Sequence, residues 1–182
     1  MADLLALSRH IIDTGVVDSG TGPTNRLSNE LSEIADDLAV VESFSHCVAW
    51  KTSEGLACFD ASGVITGPLV VEALNKWTST PVSHLIYTHG HADHIGGSPA
   101  FAAAAAAKGV PNPRVIGHEN IAPRVQRYRD TDGWNRFINA KQFGGIRVEH
   151  QYSLGGNKNH FIPPDVLEVT ESFREQRILT IG

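Results

Sequence analysis

Seven consecutive residues, Thr88-His89-Gly90-His91-Ala92-Asp93-His94, place three histidines and an aspartate directly behind a mostly apolar run, Val82-Ser83-His84-Leu85-Ile86-Tyr87. The run reads as a strand covered on both faces. Polar groups issuing from the end of such a strand need partners, because leaving them unpaired away from water is costly. In extended chain, residues two apart point the same way, so His89 and His91 reach a common point. Asp93 and His94 follow where the chain must turn, and there they can face a second point. Gly90 and Ala92 keep the loop uncrowded, and Gly96-Gly97 lets the backbone leave tightly. Imidazole nitrogen and carboxylate oxygen bind zinc at roughly 2.0–2.2 Å. Two metals about 3.5–4 Å apart hold a bridging hydroxide and polarise the bond to be broken. The pattern therefore predicts a metal site, with Asp93 placed both to bind the second metal and to aim that hydroxide. Zinc is the expected ion, though His and Asp ligands suit iron or manganese as well.

The rest of the chain reads as α/β with a mixed sheet. Residues 1–30 are weakly periodic and contain the turn-rich stretch Asp18-Ser19-Gly20-Thr21-Gly22-Pro23, which predicts an irregular arm before a domain over 31–182. Runs over 34–41, 44–51 and 55–60, split by short polar breaks, predict an antiparallel meander. Leu69, Val70, Ala73, Leu74 and Trp77 recur at helical spacing over 68–77. Ser98-Pro99, with Ser98 as cap, opens a helix that runs through an alanine tract to a stop at Gly109. A short strand at 115–117 and a helix over 120–129 follow. Residues 130–164 are rich in Gly, Asn and Pro and predict loops with short helices. Runs over 166–169 and 177–181 read as strands joined by 170–176.

Composition narrows the function. A chain of 182 residues has room for one domain with a sizeable core. Fifteen Lys and Arg against 20 Asp and Glu give a net charge of −5, and no basic run offers a nucleic-acid surface. No apolar stretch approaches membrane-spanning length, so no membrane is expected as a partner. The opening Met1-Ala2-Asp3-Leu4-Leu5-Ala6-Leu7 lacks the flanks of a signal peptide. The two cysteines, Cys47 and Cys58, have no CxxC spacing; they read as buried free thiols in a cytoplasmic protein.

The 88–94 motif, its strand, and the upstream Phe59-Asp60-Ala61-Ser62-Gly63 resemble the metallo-β-lactamase superfamily. The resemblance implies an αββα sandwich with its site at the sheet edge. It also implies a zinc-dependent hydrolase, in which a metal-activated hydroxide attacks an ester-type bond of a small molecule. His89 and His91 would bind the first metal, Asp93 and His94 the second, and Asp60 would lie on the supporting loop. Gly117-His118-Glu119, Arg127-Tyr128-Arg129, Gly133-Trp134-Asn135 and Gln142-Phe143-Gly144 are similar to the alkyl sulfatase-like branch. That implies an alkyl sulfate as candidate substrate, with His118 and Asn135 as substrate contacts; a lactonase or a phosphodiesterase would share the metals. Superfamily members add further ligands from a C-terminal half, and this chain stops at Gly182, about where such ligands should begin. The expectation is thus the N-terminal part of the sandwich, its open face covered by a homo-oligomer or another chain. The alternative is a truncated, non-catalytic metal-binding or self-association domain.

Overall fold

Four short antiparallel strands open the sheet: β1 (Leu31–Ala35), β2 (Leu38–Val41), β3 (Cys47–Thr52) and β4 (Gly55–Phe59). They belong to a computed structural model that describes residues 3–16, 27–142 and 160–182. The sequence read 34–41 as one strand. The chain instead turns at Asp36 and Asp37 to pair β1 with β2, and Asp37 takes a left-handed conformation, φ 59°, that aspartate tolerates. β3 begins at Cys47 rather than at 44, because 44–46 form a loop with Ser45 at φ 61°.

Beyond β4 the strands run parallel. Helix α2 (Gly67–Trp77) leads to β5 (Val82–Ile86); α3 (Ala92–Ile95) and α4 (Ser98–Ala107) lead to β6 (Arg114–His118). Helices α5 (Ile121–Asp130) and α6 (Asp132–Gln142) lie between β6 and β7 (Glu171–Phe173), which pairs parallel with β6. Among the described residues the strands thus lie in sequence order in one mixed sheet. The register aligns Ala39, Ala49, Cys58, Leu85 and Val115 across five strands, all at most 1% exposed. This row shares one core with Val70 and Leu74 of α2 and Phe101 of α4. Each large side chain so buried stabilises the fold by about 1.5–3 kcal/mol. The other face is more open: Trp50 is 45% and Phe59 38% exposed.

The ends of the chain differ from expectation. The arm contains a helix, α1 (Leu4–Thr14), capped by the Asp3 carboxylate accepting from the Ala6 N–H at 2.8 Å and closed by Gly15 at φ 65°. It buries none of its residues. Neither 166–169 nor 177–181 is a strand. Both backbone groups of Leu167 are taken by side chains: its N–H donates to Ser98 Oγ at 2.9 Å, and its carbonyl accepts from Tyr87 Oη at 2.8 Å. Ser98 therefore does not cap α4; Gly97 holds the cap position. The strand forms inside 170–176 instead, where Glu171, Ser172 and Phe173 meet Ile116, Gly117 and His118. In the stretch read as loops with short helices, α6 runs for three turns, and 143–159 lie outside the described residues.

Cys47 and Cys58 are buried and free. A hydrogen bond to Cys58, then burial, pushes the Cys47 thiol up, so it stays protonated. No helix among the described residues is long and apolar enough to cross a membrane.

Candidate metal centre

The parallel half of the sheet sends the loops after β4 and β5 to the same rim. The β4 exit brings Asp60, 5% exposed and at φ 62°. The β5 exit brings 88–94, with Asp93 and His94 on the single turn of α3. Asp60 ties the two exits together. Its Oδ1 accepts from the Thr88 N–H at 2.8 Å, and its Oδ2 accepts from Thr88 Oγ1 at 2.7 Å and from His94 Nδ1 at 2.7 Å. With Nδ1 donating to Asp60, His94 presents Nε2 toward Ser45 and Asp93. Ser45, from the loop before β3, meets both groups of the second pair. It donates to Asp93 Oδ2 at 2.6 Å and lies 3.1 Å from His94 Nε2.

All four residues expected to hold metal come together. His89 Nε2 lies 2.8 Å from His91 Nδ1, and the ring centroids of His89 and His94 are 3.9 Å apart. His94 Nε2 lies 3.4 Å from Asp93 Oδ2. Burial lowers the pKa of His89, helped by the neighbouring His94 and His91. Burial likewise lowers His91, helped by Arg124. Burial also opposes charge on His94, but the Asp60 hydrogen bond and the charges of Asp60 and Asp93 outweigh it and raise its pKa.

The donor chemistry fits a divalent cation: three imidazoles and a carboxylate, with outer partners orienting His94. The side chains stand as pairs, and among the described residues no three His, Cys, Asp or Glu side chains form a ready-made cage. The 2.8 Å between the facing nitrogens of His89 and His91 is somewhat under the separation of two ligands on one zinc. A tetrahedral ion with bonds of about 2.0 Å holds its ligand atoms about 3.3 Å apart. A small opening of the two rings therefore admits an ion.

The two residues expected at the substrate fall in different places. Asn135 lines a cavity of about 570 Å³ that also reaches His91 and Asp93. Its amide donates to Thr131 Oγ1 at 2.9 Å and to the Tyr128 carbonyl at 3.4 Å. His118 stands at the end of β6, away from that cavity. Its Nε2 donates to the Arg174 carbonyl at 2.7 Å, and its Nδ1 accepts from the Asn120 N–H at 3.1 Å. Sequence reasoning missed Ser45, because 44–46 read as strand; its neighbours Ser43 and His46 were the available sign of a polar loop.

Residues 35–171 match the model of the metallo-β-lactamase superfamily. The fold is similar to solved structures at low identity. A metallo-β-lactamase with a HARLDQ motif from Cronobacter sakazakii shares 16% identity at a TM-score of 0.57, over 84% of this chain and 49% of that one. BJP-1, a subclass B3 metallo-β-lactamase of Bradyrhizobium japonicum, shares 15% at 0.58, over 88% and 51%. The inverting sec-alkylsulfatase Pisa1 from Pseudomonas sp. shares 17% at 0.51, over 62% and 18%. A comparison with curated proteins returns no match. The chain spans about half the length of the two lactamases it resembles. With a family match over most of its length and the lactamase fold about its histidine cluster, the chain belongs to the metallo-β-lactamase superfamily.

Proposed function

We propose that the chain carries the N-terminal share of a metal-dependent hydrolase that cleaves an ester-type bond, an alkyl sulfate being the first candidate. The observation that carries this reading is the convergence of His89, His91, Asp93 and His94 at one rim, with Asp60 and Ser45 behind them. His89 and His91 would hold one metal, Asp93 and His94 the other, with zinc as the ion that superfamily members usually bind. Metal bound there supplies Lewis-acid activation of water and polarisation of the scissile bond. Asp60 fixes the His94 ring by accepting a hydrogen bond from Nδ1–H, which leaves the Nε2 lone pair to bind metal. Ser45 holds the Asp93 carboxylate through Oδ2, and Asp93 would bind the second metal and accept a hydrogen bond that orients the attacking water. Completion of the ligand set by a further chain or a second copy is part of the proposal.

The test is metal content with hydrolysis of an alkyl sulfate, a lactone and a phosphodiester. Two zinc per active unit and turnover of one of these are expected, and His91→Ala should abolish the turnover. Activity that survives His91→Ala refutes the assigned role. One loosely held metal or none, with no turnover of any ester, favours instead a non-catalytic domain.

A further inference from the structure

The cavity that reaches His91 and Asp93 is walled on its other side by α5 and α6. Arg124 and Arg127, three apart, share one face of α5, and both line it. Their guanidinium groups stand over the Tyr128 ring, at 5.4 and 5.2 Å from its centroid, and Arg124 Nε donates to Tyr128 Oη at 3.2 Å. Tyr128 is buried, so the ring is a fixed platform for both cations. Among the described residues neither guanidinium meets a carboxylate within ion-pair distance, whereas Arg114, Arg129, Arg174 and Arg177 each do. Farther along the same cavity, Trp134 and Ile138 of α6, 63% and 43% exposed, offer apolar surface, with Phe44 also on the wall.

We propose that Arg124 and Arg127 form an anion subsite that selects an amphiphilic, negatively charged substrate, its head at the His91–Asp93 end and its apolar part along Trp134 and Ile138. The proposal deepens the hydrolase reading and rests on it for the word substrate. Two planar guanidiniums already desolvated on one face by an aromatic ring suit the oxygens of a sulfate, phosphate or carboxylate head. A neutral ester of the same length would leave both charges without a counter-ion in a partly enclosed cavity. Selectivity for charge therefore arises at α5.

The probe is 1-octanesulfonate, which keeps the anionic head and the alkyl part and has no ester bond to hydrolyse. Calorimetry on the parent chain should show binding that weakens with added salt, with 1-octanol and ethanesulfonate binding at least about tenfold more weakly. Arg127→Gln, an exposed position, should weaken octanesulfonate by about tenfold, and Arg124→Gln combined with it further. Arg127→Lys should recover only part of the loss, since a point charge replaces a fork. Trp134→Ala should weaken octanesulfonate and leave ethanesulfonate unchanged. Octanol binding as well as the sulfonate, or octanesulfonate binding that ignores Arg127→Gln, overturns the proposal. A chain that binds octanesulfonate in this manner yet hydrolyses nothing keeps the subsite and loses the hydrolase reading.

Discussion

Strand β5 carries one histidine within it and delivers three more at its exit; His94 is tied to Asp60, but His84 and the pair His89 and His91 are held in opposite ways. His84 is 3% exposed and fully engaged: Nδ1 meets Ser83 Oγ at 2.9 Å, and Nε2 accepts from Arg114 Nη1 at 3.0 Å. Arg114 in turn donates to Glu171 at 2.6 Å, and Arg177 takes the other oxygen of Glu171 at 2.7 Å. The histidines at the exit are crowded against one another, and His89 and His91 answer each other's nitrogens. A histidine with complementary partners is part of a fold's fabric. Histidines left to face one another mark a place arranged for something else.

The largest expected effect comes from the frame of the exit. A methyl at Gly97 would collide with the Ala61 carbonyl and lie 2.8 Å from Gly67 Cα, so Gly97→Ala should destabilise the chain by about 3 kcal/mol. Urea unfolding measures it, and an unchanged midpoint would show that the exit is looser than the contact implies. Next is Asp60→Ala, which strips acceptors from the Thr88 N–H, the Thr88 hydroxyl and His94. A loss of about 2–3 kcal/mol is expected, because the orphaned donors stay partly buried. Equal stability of variant and parent would erase the distinction between a supported and an unsupported histidine.

A smaller effect tests His84. Burial, then the Arg114 charge, lowers its pKa from the ordinary 6.5, with Glu54 and Glu171 opposing. The unfolded chain then takes up a proton near pH 6.5 that the folded chain still refuses. Stability should fall as pH drops through 6.5 toward the lower folded value, and not change above 6.5 on this account. Because His89 and His91 shift the same way and His94 the other, the readout is the difference between parent and His84→Gln unfolding across pH 5 to 8. Parallel curves would refute the assignment. The smallest expected change is Arg114→Gln, which should move the His84 titration upward when followed by NMR.

Legibility in the sequence followed how local each cause was. Helices α2 and α4 and strand β5 carry their own periodicity, and the histidine cluster carries its own chemistry, so these were read directly. The β1–β2 turn was missed although Asp36-Asp37 was in view, since the flanking residues formed one apolar run. β7 was misplaced because 171–173 have no strand pattern of their own; the open edge of β6 selects them while Ser98 and Tyr87 occupy Leu167. Arg124 and Arg127 stood in plain sight on α5, but only the packing of Tyr128 beneath them and the position of α6 turn them toward the cluster.

Among the described residues five non-glycine residues have positive φ; two of them, Ser45 and Asp60, touch the histidine cluster, and a third, Ser62, bonds the Phe44 carbonyl beside Ser45. Such conformations are disfavoured for a side-chain-bearing residue and persist only because neighbours hold them. Glycine at Ser45 would carry its left-handed backbone without strain and would lose the hydrogen bond to Asp93. Relief of strain there comes at the expense of the group that holds Asp93, so robustness and aim pull against each other in this part of the chain.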